Sequence, residues 1–102
     1  MPLFAVEMQH SPEMSPVYND KVREMFKEKY SKMEEVKAKH EVKILTNLYS
    51  AVDHVILVVL EAPDIETVNT LLIEVGFVSF NTIKVRHVIP SEQIMKELLT
   101  KN

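Results

Sequence analysis

Val55-Ile56-Leu57-Val58-Val59-Leu60 is an unbroken apolar run, rich in β-branched side chains. Its length suits a strand and falls far short of the roughly eighteen residues a membrane span needs. A half-wet strand alternates polar and apolar residues. This one has no polar side, so both its faces are expected to be covered and its place is the middle of a sheet. Asp53-His54 lead into it and Ala62-Pro63-Asp64 break it. Upstream, Val42 to Ser50 reads as a second strand. Downstream, Asp64 is placed to cap a helix with the apolar stripe Val68, Leu71, Leu72 and Val75, and Gly76 lies at or just past its end.

Further out, Leu3 to Gln9 alternates, with Phe4, Val6 and Met8 on one face and Leu3, Ala5, Glu7 and Gln9 on the other. Pro12 and Pro16 make the next segment a loop. From about Val17 to Lys39 the apolar residues Val22, Phe26, Tyr30, Met33 and Val36 follow steps of three and four, predicting one long helix capped by Asn19 or Asp20. Thr82 to Ile89 reads as a fourth strand with Ile83, Val85, His87 and Ile89 inward, and Lys84 and Arg86 outward. Ser91 is expected to cap a tail helix over about residues 91–100. The order β-α-β-β-α-β predicts an α+β, ferredoxin-like fold with a four-stranded antiparallel sheet whose first and third strands are central. Two helices cover only one face of such a sheet. The other is expected to be buried by a second copy, giving a twofold homodimer, a dimeric α/β barrel, or a larger assembly of dimers. The tail helix would cover part of that face or reach across to the partner.

At 102 residues, 1–102 reads as a single domain with one core. Cysteine is absent, which excludes disulfides, thiolate metal sites and cysteine nucleophiles. Gly76 is the only glycine, so no glycine-rich phosphate loop exists. The net charge of -3 and the alternation of Lys with Glu along the first helix argue against a nucleic-acid surface. The Met1–Ala5 segment lacks the basic and long apolar runs of a signal peptide, and no stretch is long enough to span a membrane. The expectation is a cytoplasmic protein.

The chain resembles a family of small, uncharacterised prokaryotic domains within the dimeric α/β-barrel superfamily. The resemblance rests on His10, Pro12, Glu13, Ser15 and Pro16, matching a His-x-Pro-Glu-x-Cys-Pro element after the first strand, and on Asp53-His54 opening the third. It covers essentially the whole chain. Ser15 stands where the family has Cys, so no thiol chemistry carries over. The wider superfamily includes cofactor-free monooxygenases, isomerases, haem-dependent enzymes and ligand-sensing domains, and the fold alone therefore selects no activity.

His10 and Glu13 head the candidate ligand-binding residues, followed by His54 and His87. His10 would be the hydrogen-bonding or proton-transfer group and Glu13 its orienting carboxylate. The same residue types, with His54 as third ligand, suit a divalent metal, although no cofactor is required by the sequence. Taking strands one and three as parallel neighbours sets His10 and His54 roughly fifteen to twenty ångströms apart in one chain. The plainer alternative makes Ser11-Pro12-Glu13 a turn and helix entry, with His10 bonded to a nearby carbonyl. His87 reads as a core histidine that could approach Glu7, and His40 as a helix-end residue favoured by the dipole. Tyr18, Tyr30 and Tyr49 are available to bond a ligand in the helix–sheet cleft. The expected function is binding of a small organic molecule near His10 and Glu13. A monooxygenase- or isomerase-like enzyme, a metal-binding protein and a structural assembly module are the alternatives.

Overall fold

The computed structural model describes residues 1–101. Strands β1 (Leu3–Gln9), β2 (Lys43–Ser50), β3 (Val55–Glu61) and β4 (Thr82–Val88) form one sheet in the order β2-β3-β1-β4. Helices α1 (Asp20–Tyr30), α2 (Met33–His40), α3 (Ile65–Glu74) and α4 (Ser91–Thr100) complete the chain, with short 3-10 turns at Pro12–Met14 and Phe77–Ser79. This is an α+β fold around an open, four-stranded antiparallel sheet, compatible with the ferredoxin-like order.

Every strand pair is antiparallel, including β1 with β3, where Gln9 faces Val55. The parallel pairing of the first and third strands is therefore wrong. β1 runs parallel to β2 after its helical crossover, and the tight turn between β2 and β3 then reverses the chain. The end of β1 meets the start of β3, which brings His10 beside His54.

The core lies between the sheet and the helices. Phe4, Val6, Met8, Val58 and Leu60 from the central strands pack against Val22, Met33 and Val36, and against Val68, Leu71, Leu72 and Val75. The segment expected to be one long helix is two. At Ser31 the hydroxyl donates to the Glu28 carbonyl, a side-chain bond that competes with the helical ladder, and the chain turns before restarting at Met33. The break turns Met33 and Val36 into the core. Glu41 ends α2 in the left-handed region at φ 58, a conformation more often taken by glycine.

Asp64 caps α3 as expected: its Oδ1 accepts from the Thr67 backbone N–H at 2.8 Å and the Thr67 hydroxyl at 2.6 Å. The hydroxyl and backbone bonds hold its carboxyl below the ordinary aspartate range. Since the folded-state pKa is depressed, the stabilisation is complete above the unfolded value and disappears as pH falls through the folded one. Asp64→Ala is expected to lower the thermal midpoint at neutral pH, with the gap to the parent narrowing below about pH 4. Thermal melts across an acid series check this. Gly76, just beyond α3, adopts φ +89, and a Cβ there would sit 2.7 Å from Lys29 Cδ. The positive φ reserves the position for glycine, since the exposed Lys29 side chain could move aside but the backbone could not.

Only one face of β3 is covered within the chain. Val58 and Leu60 are buried, whereas Leu57 is 43 % and the adjacent Leu48 on β2 is 59 % exposed. The tail helix does not close this face. No residue of α4 is buried, and its packing against the body is sparse. The molecule is correspondingly long and thin, 58 × 32 × 17 Å with a radius of gyration of 15.8 Å, against about 13 Å for a compact chain of this length. Its cap also differs from expectation: Pro90 precedes the helix and Ser91 is its first residue, with no side-chain cap. No helix of the described residues is long and apolar enough to cross a membrane.

Candidate functional site

The sheet edge where β1 ends holds a cleft of about 870 Å³. Antiparallel register places three chain segments there: the exit of β1, the turn into β3 and the entry to β4. Continuing the Phe4-Val6-Met8 side of β1, His10 falls on the helix-facing side and is only 7 % exposed. Its backbone N–H donates to the His54 carbonyl at 3.2 Å, which fastens the end of β1 to the start of β3.

The His10 imidazole has a forced tautomer. Asn81 Nδ2 donates to the Phe77 carbonyl at 3.0 Å, and a carbonyl can only accept. The Asn81 side-chain oxygen must then be the atom that faces His10 Nδ1, 2.9 Å away. Nδ1 therefore carries the proton and donates. In the neutral ring this leaves Nε2 as an acceptor. Nε2 is buried and has no hydrogen-bond partner.

Aromatic rings surround this imidazole. His54 lies 5.4 Å away edge-on, Phe80 5.5 Å away and tilted, and Tyr49 6.2 Å away and nearly parallel, all between centroids. Tyr49 reaches the site because β2 register puts it on the same sheet face as Ile56. The Tyr49 hydroxyl lies 3.3 Å from His54 Nδ1, and Tyr18 stands edge-on to His54 at 6.2 Å. His54 itself takes the left-handed region at φ 55. That conformation is costly for a residue with a Cβ and turns the chain sharply into β3.

The structure thus joins His10 and His54, and separates the other two candidates from them. Glu13 is exposed in the 3-10 turn and does not line the cleft, although Ser11, Pro12 and Met14 do. Its backbone carbonyl accepts from Asn19 Nδ2, a link that ties the turn to the start of α1. Ser15 is fully buried, and its hydroxyl accepts from the Val17 N–H within the same turn. Pro12, Glu13 and Ser15 thus build the helix entry.

His87 is exposed, not a core histidine, and pairs with Phe4 near the opposite end of β1. Glu7 faces Lys84 on the other side of the sheet, so the two do not meet. His40 closes α2 and lies 3.3 Å from both carboxylate oxygens of Glu74, linking α2 to α3. Among the described residues no group of three or more His, Asp or Glu side chains is arranged to hold a metal ion.

Asn81 and Phe80 escaped the sequence reading. The signal that could have found them is register. In an antiparallel sheet the residues just before β4 share an edge with those just after β1, and an Asn there is a polar group aimed at His10. In comparisons with known proteins, the chain matches no family model and no curated sequence. The family resemblance consequently rests on the His10-x-Pro12-Glu13-x-Ser15-Pro16 element and Asp53-His54 alone, and the site is interpreted from its own chemistry.

Proposed function

We propose that this protein binds a small organic molecule in the cleft at the end of β1, with His10 Nε2 accepting a hydrogen bond from it. The observation that carries the reading is the buried, unpartnered Nε2 on an imidazole whose other nitrogen is held by Asn81. A buried polar atom without a partner costs about 1–3 kcal/mol, so its retention needs a reason beyond packing. A bound donor would recover that cost. His54 and Phe80 complete the wall, and Glu13 contributes through the backbone turn that shapes the cleft.

The binding form is a homodimer that buries the open sheet face, as in a dimeric α/β barrel. Support comes from Leu48 and Leu57, neighbours across β2 and β3 that stay exposed in the single chain. Size-exclusion chromatography with light scattering tests this part, and a monomer at micromolar concentration would contradict it. For the cleft, a chemically diverse fragment panel mapped by amide chemical shifts is the test. Hits are expected to move the amides of His10, His54 and Asn81. A panel that moves none of them at millimolar concentration would overturn the binding reading.

A further inference from the structure

We infer that the molecule taken by the cleft is a phenol-type compound: a neutral aromatic ring bearing a hydroxyl, which donates to His10 Nε2. The inference rests on the small-molecule reading above and narrows it. Three observations converge. The first is that Nε2 accepts, because Nδ1 is committed to Asn81, so the ligand must supply the donor. The second is charge. Among the described residues only His10 and Ser15 are buried polar or charged groups, and the one carboxylate lining the cleft, Asp53, is exposed, so no buried carboxylate stands ready to compensate a cationic amine at Nε2. A neutral O–H fits where an ammonium does not.

The third observation is the wall. His54 and Phe80 line the cleft beside His10, Met14, Val52 and Val78 extend the apolar lining, and Tyr49 stacks on the imidazole from outside that lining. Such a surface favours a flat ring over an alkyl alcohol through edge-to-face contacts. Tyr49 is 46 % exposed, and its hydroxyl lies 3.3 Å from His54 Nδ1. On this inference the ligand reaches the buried Nε2 only if neighbouring rings shift on binding. If a proton is transferred, the ligand O–H bond breaks and an Nε2–H bond forms. The products are a phenolate and an imidazolium that keeps its Nδ1–H on Asn81.

The test compares 4-ethylphenol, 4-ethylanisole and cyclohexanol as probes of the intact protein at neutral pH, with affinities read from amide shifts. 4-Ethylphenol is expected to move the amides of His10, Ser11, Asn81 and Thr82. 4-Ethylanisole has nearly the same shape but no donor, and is expected to bind about ten- to a hundredfold more weakly. Cyclohexanol, a donor without a ring, should also bind more weakly. In His10→Phe the phenol should lose its advantage over the anisole. If that variant does not fold, the probe comparison on the parent protein still decides. Equal binding of the phenol and the anisole would overturn donor recognition, and equal binding of cyclohexanol would overturn the aromatic part. Absence of phenol binding, with other fragments still moving the same amides, would overturn this inference while leaving the cleft a binding site.

Discussion

Leu60→Ala is expected to reduce the unfolding free energy by about 2–5 kcal/mol, the largest stability effect of any substitution considered for this chain. Leu60 is 1 % exposed, on the helix-facing side of β3 between Phe4 on β1 and Ile44 on β2. A small void of about 10 Å³ already lies beside it, walled by Leu71, Leu72 and Phe77 among others. Those walls belong to a helix, a turn and a strand that cannot all close in, so the space left by three missing side-chain carbons stays largely empty. Set against a total of about 5–15 kcal/mol for a domain of this kind, the loss is a large fraction of the whole. Urea unfolding checks it, the expected result being a lower midpoint with an unchanged slope. The matching change on the open face, Leu57→Ala, should cost little in a dissociated chain because Leu57 is already half in water. A much larger, concentration-dependent cost would be the mark of a dimer through that face.

Asn81→Leu has the second-largest expected effect, a destabilisation of about 1–3 kcal/mol. The substitution removes the oxygen that accepts from His10 Nδ1–H and the amide that donates to the Phe77 carbonyl. His10 would then be buried with neither nitrogen partnered. The readout that separates this from ordinary packing loss is the tautomer, since nothing would any longer hold the proton on Nδ1. Nitrogen NMR of the imidazole should change from one form to a mixture. Asn81→Asp, which keeps an acceptor at that place, should retain the Nδ1–H form even if it is also destabilised.

The residue pattern showed the sheet and its element order because apolar period is a local property. The Phe4-Val6-Met8 alternation, the uninterrupted β3 run and the Asp64 cap each follow from a few neighbouring residues, and each is found in the structure. The division of the first helical segment was hidden because Met33 and Val36 continue the apolar spacing of Val22 and Phe26. What breaks the helix is a polar competition at Ser31, and periodicity does not register it. The β3 run also overstated coverage: in the single chain Leu57 is exposed, so an apolar side chain there describes what the face is suited to meet rather than what it touches.

The site was half legible. His10 stood out by its place after β1, and His54 by its place before β3. Their meeting depends on strand direction, and a direction error moved them to opposite ends of the sheet. Glu13 looked like a partner because it is close in sequence, yet the 3-10 turn at Pro12–Met14 leaves it exposed and outside the cleft. Asn81 was invisible for the opposite reason, being 71 positions from His10 and adjacent only through register. The decisive property of the site, an imidazole with one nitrogen committed and the other unpartnered, is a fact of three-dimensional hydrogen bonding with no sequence signature.

The most direct test of that property is a long-range proton–nitrogen correlation spectrum of the histidine side chains, recorded on ligand-free protein at neutral pH. His10 is predicted to show the Nδ1–H tautomer, with Nε2 bearing no proton and free to accept. An Nε2–H tautomer would mean that Asn81 presents its amide to the ring and abandons the Phe77 carbonyl, and the account of His10 as the acceptor in the cleft would be contradicted.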